Sequence, residues 1–249
     1  SLTSVNIPSS VTSIERSAFR ACSSLTSINI PSSVTSIAAG AFRACSSLTS
    51  INIPSSVTSI GSSAFRGCSA LTALTVDANN PNYSAEGCML FNKEKTKLIC
   101  AVGSQKTYDI PSSVTSIEED AFQYCSSLTS INIPNSVTSI GESAFSGCSS
   151  LTSIIIPSSV TSIGESAFLN CDTLKVALIQ SNCIDFHRSV FEKNTKIYAV
   201  SDNNIEIHLV DDYDSNKYLY VNDLIGGTWY TYGTPNIYAS DGSTISSYD

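Results

Sequence analysis

The residues best able to do chemistry in this 249-residue chain are its nine cysteines. Six of them, Cys22, Cys45, Cys68, Cys125, Cys148 and Cys171, each follow a phenylalanine by three residues. Zinc sites place cysteines in close pairs, and this row has none; only His187 and His208 add imidazole ligands. Side chains repeating in register point the same way, which suits disulfide geometry poorly. The row therefore reads as a structural ladder of buried thiols that act as small hydrophobes. Cys183 has no evident partner, and no metal or other cofactor is expected.

Other catalytic signals are weak. A glycine-rich phosphate loop, H-E-x-x-H and G-x-S-x-G are all missing. Serine makes up 48 residues, so any Ser/His/Asp triple is expected by coincidence. His187 sits in a degenerate stretch and His208 in the alternating apolar run from Ile205 to Val210, where a structural role outweighs general-base work. Asp211, Asp212 and Asp214 are calcium-ligand types but lack EF-hand spacing and read as a solvated acidic turn. Asn82, Tyr83 and Ser84 form a glycosylation sequon. The chain is expected not to be an enzyme.

Composition narrows the classes further. With 13 Lys and Arg against 21 Asp and Glu, a phosphate-neutralising patch for nucleic acid is excluded. No apolar run approaches the length of a membrane span. The formal charge of −8 sits almost wholly beyond residue 196, where eight acids face only Lys217. That change marks a candidate boundary between residues 1–196 and an acidic segment, 197–249.

The cysteines are positioned by a repeat. Residues 25–47 and 48–70 agree at 18 of 23 positions. Phenylalanine marks the period at 19, 42, 65, 122, 145, 168 and 191, with one step of 57 in place of 23. One coil is therefore lengthened, within residues 77–110. In the second unit Leu25, Ile28, Ile30, Val34, Ile37, Ala41, Phe42 and Cys45 are apolar. Eight such positions cannot close a core alone, but a stack of units can. Ile28 and Ile30 alternate with Ser27 and Asn29, the period of a short half-buried strand that Pro31 ends. Ser63, Ala64 and Phe65 read as a single helical turn. Stacked strands then form one parallel sheet along a solenoid.

The pattern L-x-x-I-x-I-P-x-x-V-x-x-I-x-x-x-A-F-x-x-C resembles the BspA-type, or treponemal-class, leucine-rich repeat of surface proteins. The resemblance covers about residues 1–196. The long coil, NNPNYSAEGCMLFNKEKTKLICA, is similar to that family's hairpin insertion. Departures lie near the end: Asn194 replaces the expected Cys and Gln180 the expected Pro. The resemblance implies a β-rich, horseshoe-like leucine-rich repeat solenoid with its parallel sheet on the concave face. It also implies an extracellular or cell-surface location and adhesion to host proteins. The chain opens mid-repeat at Ser1, without Met or signal peptide, and reads as a fragment of a longer protein. In the implied hairpin Cys88 and Cys100 are symmetric about Glu94, so a disulfide or a packed pair of thiols is expected there.

A solenoid binds along its concave face. The outward positions read Ser27 and Asn29, Ser50 and Asn52, Ser130 and Asn132, then Ser153 and Ile155, then Val176 and Leu178. The polar strip turns apolar toward the C-terminal end. Two readings stand: a protein-binding patch, or a surface covered by residues 197–249 folding back as an irregular β cap. Residues 217–221, 228–232 and 236–238 carry β signals in that segment. Its aromatics, including Tyr218, Tyr220, Trp229 and Tyr230, either pack the cap or stack sugars. The expected function is non-enzymatic contact with a protein ligand, a host surface or matrix protein. A carbohydrate-binding module built on the C-terminal aromatics is the alternative.

Overall fold

The computed structural model describes residues 2–180 and, beyond them, 183–187, 190–191, 195–199, 205–210, 218–221, 228–231, 236–238 and 244–247. Alternation works as the sequence implies. Ile28 and Ile30 are buried while Ser27 and Asn29 between them are exposed. Strands Ser4–Asn6, Ser27–Asn29, Ser50–Ile53 and Ala73–Val76 pair in parallel, with each paired residue opposite its equivalent one coil on.

A second ladder was not expected. The Ser-Ile pairs Ser13–Ile14, Ser36–Ile37 and Ser59–Ile60 form their own parallel sheet, and Ser116–Ile117, Ser139–Ile140 and Ser162–Ile163 pair in parallel further along, within a sheet of nine strands. One sheet along the solenoid is thus corrected to two rows of strands per coil, each interrupted once. On the first row the interrupted stretch holds an isolated parallel bridge between Asp109 and Asn132.

The expected helical turn at Ser63 to Phe65 is also corrected: the described residues contain no helix. Residues two before and two after Phe19, Phe42, Phe65, Phe122, Phe145 and Phe168 have left-handed backbone, as at Ser17 (φ 60°) and Ala21 (φ 59°), or Asp120 (φ 60°) and Tyr124 (φ 62°). A left-handed residue at every fourth position breaks the i to i−4 bonding a helix needs. It turns alternate amides toward the next coil instead. The Ser17, Phe19 and Ala21 amides donate to the carbonyls of Ala39, Ala41 and Arg43 at 3.2, 2.8 and 2.7 Å, a third ladder.

Inside the coils the rings of Phe19, Phe42 and Phe65 stack at 5.4 and 5.7 Å between centroids. Those of Phe122, Phe145, Phe168 and Phe191 stack at 4.9, 5.1 and 4.9 Å. The lengthened coil divides them. Its strands Tyr83–Glu86, Met89–Asn92 and Lys97–Ala101 pair antiparallel, and the last joins Ser116–Ile117 in parallel. Successive residues of the middle strand face opposite ways, so Leu90 packs into the core of the earlier coils while Met89 and Phe91 pack into that of the later ones. Tyr108 fills the vacancy in the ring stack, lying edge-on to Phe122 at 5.4 Å with its hydroxyl donating to the Val102 carbonyl at 2.8 Å.

Beyond residue 180 the two strand rows continue. Cys183–His187 pairs in parallel with Ser162–Ile163 and with Ile205–Val210, which Tyr218–Val221 joins antiparallel. Lys196–Ala199 pairs in parallel with Val176–Ile179 and runs across the point where composition changes. No helix among the described residues is long and apolar enough to cross a membrane.

Candidate functional site

The cysteine row is a structural ladder with a bond of its own. Cys45, Cys68, Cys125, Cys148 and Cys171 are buried and Cys22 is half-buried. The Cys45 thiol donates to the Phe19 carbonyl of the preceding coil at 3.0 Å, Cys68 to Phe42 at 3.2 Å, Cys148 to Phe122 at 3.2 Å and Cys171 to Phe145 at 3.1 Å. Each of those carbonyls already accepts the amide three residues on, as Phe19 does from Cys22, so both lone pairs are used. Burial pushes the thiol of Cys45 up to about 11 and those of Cys68 and Cys125 up to about 12. Cys148 is raised further still, first by its hydrogen bond with Cys171 and then by burial. Groups held as thiols are neither nucleophiles nor metal ligands at neutral pH.

Cys88 and Cys100 are free thiols and do not lie opposite each other. A bulge between Leu98 and Cys100 shifts the hairpin register, setting Cys100 against Leu90 and bonding the Val102 amide to the Cys88 carbonyl at 2.9 Å. Among the described residues no three His, Cys, Asp or Glu side chains gather as a metal-holding group. Asp211, Asp212 and Asp214 lie outside the described residues, and of His187 and His208 only the strand position is described.

The first strand row is the remaining candidate surface. Ser27, Asn29, Ser50, Asn52, Ser130 and Asn132 are exposed, and all are uncharged. Neighbouring coils link across it, as where the Thr75 hydroxyl donates to Asn52 Oδ1 at 2.8 Å. At the next coil the row changes character: Ile155 is 51% exposed. Val176 and Leu178, on the following strand, are half-buried. Register extends the Ile155 position in one line. Ile155 is opposite Leu178, Leu178 opposite Tyr198, Tyr198 opposite Trp229, and Trp229 opposite Tyr238. The apolar patch and the C-terminal aromatics, separate in the sequence, thus share one sheet of six strands. The antiparallel return from Ala199 to Thr228 carries no periodic signal, and so the sequence does not reveal the join.

One buried polar residue escaped the sequence reading. Asn80 is fully buried and makes four bonds. Its Nδ2 donates to the carbonyls of Pro54 and Val57 at 2.8 and 2.9 Å, and its Oδ1 accepts the amides of Asn82 and Tyr83, both at 2.9 Å. It pins the start of the hairpin to the preceding coil. The sequon asparagine, Asn82, spends its side-chain amide on the Thr58 carbonyl at 2.7 Å.

The chain matches the family described as "BspA type Leucine rich repeat region", in six copies over residues 1–99 and 99–209. No curated protein matches it. Among solved structures it is similar to a leucine rich cell surface protein from Faecalibacterium prausnitzii, at 34% identity and TM-score 0.62, over 78% of this chain and 58% of that one. A leucine-rich repeat protein from Eubacterium ventriosum is similar at 27% identity and TM-score 0.54, over 78% and 69%. The pneumococcal vaccine antigen PcpA shares the fold at 22% identity and TM-score 0.53, over 81% and 63%. The chain therefore spans under two-thirds of the first of these proteins.

Proposed function

We propose, for a chain that belongs to the BspA-type leucine-rich repeat family, that it is a non-enzymatic protein of the cell surface whose first strand row holds a protein ligand. The finer reading is adhesion to a host surface or matrix protein. Cell-surface location is supported by the likeness to the Faecalibacterium leucine rich cell surface protein. The carrying observation is Ile155, 51% exposed at the head of a line that Leu178, Tyr198, Trp229 and Tyr238 continue in register. Clustered exposed apolar side chains mark contact surfaces, and Ile155 is the exposed member from which such a cluster would extend. Contact would run from the uncharged positions Ser27, Asn29, Ser50, Asn52, Ser130 and Asn132 to the apolar end at Ile155, Val176 and Leu178, on the side the family resemblance makes concave. An uncharged strip implies slow, weakly salt-dependent association governed by shape and apolar burial.

The test immobilises a panel of extracellular-matrix proteins and measures capture of the chain and of an Ile155→Ser, Leu178→Ser variant. Loss of capture in the variant supports the reading; equal capture removes this face from the binding site. Carbohydrate binding is the second reading, favoured by the register that sets Trp229 between Tyr198 and Tyr238. Trp229 is the chain's single tryptophan. Its fluorescence shifts on glycan titration if the aromatics stack sugars and stays still if the ligand is a protein bound at Ile155.

A further inference from the structure

Charge is sorted along the solenoid. From Ser17 to Val76 the chain has no acid, and its only bases are Arg20, Arg43 and Arg66, each one residue after a repeat phenylalanine. From Thr107 to Leu174 it has no base, and Glu119, Glu142 and Glu165 recur three residues before the phenylalanine. Both positions lie on the corner that the phenylalanine turns make. The Arg20, Arg43 and Arg66 amides donate to the carbonyls three residues back at 3.0, 3.0 and 3.2 Å, and those of Gln123, Ser146 and Leu169 do so at 3.0 Å each. Each turn therefore folds the two positions onto one compact edge. That edge carries a basic column over the early coils and an acidic column over the later ones.

Arg20, Glu119, Glu142 and Glu165 are exposed, and Arg43 and Arg66 are half-buried. None of the six forms an ion pair among the described residues, whereas Lys97 already meets Glu118 at 3.6 Å. Each column works against itself. The Arg66 guanidinium is held below its usual range by burial and by the nearby charge of Arg43. Glu119 is held above the usual carboxylate range by burial and by the charges of Asp120 and Glu142. The columns meet at the hairpin, where the amide ladder of the turns is interrupted. There the Ser63 hydroxyl donates to Asp120 Oδ2 at 2.5 Å, and the Arg66 guanidinium lies 4.2 Å from the centre of the Tyr124 ring. Tyr124 is nevertheless 49% exposed.

The order along the corner is Arg20, Arg43, Arg66, then Glu119, Glu142, Glu165, which reads with opposite sign from its two ends. We propose that this corner binds a second copy of the chain, antiparallel, in a symmetric dimer held by the two columns. A two-fold axis between Arg66 and Glu119 sets Arg66 against the partner's Glu119, Arg43 against the partner's Glu142 and Arg20 against the partner's Glu165, and symmetry repeats the three pairs in reverse. The rungs match because both columns rise by the same step, about 4.8 Å per coil. The four-residue offset between the columns is spanned by the long arginine side chains. Tyr124 of each copy lies beside the axis, where an exposed aromatic anchors contact. Exposed ion pairs are individually weak and one corner is narrower than a standard interface, so the dimer is of low affinity and sensitive to salt. It uses neither the Ile155 line nor the first strand row.

The test is sedimentation velocity of the full chain over a concentration series. A monomer–dimer equilibrium with a Kd of about 100 μM is expected at about 20 mM salt, weakened at least tenfold at about 0.5 M. Arg43→Glu and Glu142→Arg each abolish self-association, because each sets like charges on facing rungs twice per dimer. Thermal midpoints within a few degrees of the parent show that both variants fold. Mixed one to one, the two variants associate again, since the two reversals then face each other and the two unaltered residues do likewise. A chain that stays monomeric to about 1 mM overturns the dimer. If that monomer is retained on a heparin resin and Arg43→Glu releases it, a sulfated polyanion is the occupant instead. Self-association that either reversal leaves unchanged, or variants that stay monomeric when mixed, overturn the pairing.

Discussion

Removing one ring from each phenylalanine stack tests whether the stacks carry stability beyond burial. Phe145 is fully buried between two parallel rings, Phe122 at 4.9 Å and Phe168 at 5.1 Å. Phe65 is equally buried but has a ring on one side only, Phe42 at 5.7 Å; on its other side is a cavity it shares with Ile99, Cys100 and Ala101 of the hairpin. Truncating a buried phenylalanine to alanine costs about 3–5 kcal/mol, set by transfer and by the cavity left behind. Each ring pair adds about 0.5–1.5 kcal/mol beyond area. Phe145→Ala therefore loses one pair more than Phe65→Ala, and its neighbours have less room to collapse. The expected difference is about 1 kcal/mol, with Phe145→Ala the worse. Both shift the thermal midpoint down, by roughly 2–4 °C per kcal/mol for a chain of this size. Urea unfolding followed by far-ultraviolet circular dichroism reads both, with a second probe to check that the transition stays single in a repeat protein. A Phe65→Ala cost equal to or above that of Phe145→Ala would refute the stacking argument.

Gly164→Ala places a Cβ 2.4 Å from the Glu142 amide nitrogen of the preceding coil, so overpacking lowers stability by about 1–3 kcal/mol; the thermal midpoint reports it, and an unchanged value shows the coils can separate there. Asn80→Ala strands two buried carbonyls and two amides, each unsatisfied group costing about 1–3 kcal/mol, and its urea midpoint falls well below that of an exposed control such as Asn79→Ala. Maleimide labelling of the folded chain at about pH 8 modifies Cys22 ahead of Cys45, Cys68, Cys125, Cys148 and Cys171, and mass mapping of the labelled peptides gives the order. The buried thiols of Cys45, Cys68, Cys125 and Cys148 set a pH dependence. Their protons are held more tightly in the folded chain, so their stabilisation is complete below the ordinary value of 9.0 and is lost as pH rises toward about 11 for Cys45; the urea midpoint declines over that window.

Spacing revealed the period, the buried rows through Phe42 and Cys45, the exposed Ser27 and Asn29, and the place of the hairpin, because each is a property of a single coil. Relations between coils were less legible. The left-handed residues two away from the repeat phenylalanines include Ser17, Ala44 and Tyr124. None of these is a residue type that announces positive φ, and what holds them there is the ladder to the next coil. Cys88 and Cys100 are symmetric in sequence, yet a single extra residue at the bulge moves them out of register. Asn80 lies in a polar run that reads as loop; only its two acceptors, 23 and 26 residues away, make it core. The gap in the amide ladder at Ser63, Phe65 and Gly67 is less visible still, since it is defined by bonds the inserted hairpin fails to make.

Near-identity of the coils raises a counting problem for the folding chain. Residues 25–47 and 48–70 offer a neighbour almost the same surface, so a pairing that slips by one whole coil satisfies most of the same contacts. The hairpin is the element that such a slip cannot reproduce. Asn80 reaches only the carbonyls of Pro54 and Val57, and the strand at 89–92 must seat Leu90 in one core and Phe91 in the other. It works as an index mark in an otherwise uniform array, setting how many coils lie on each side of it.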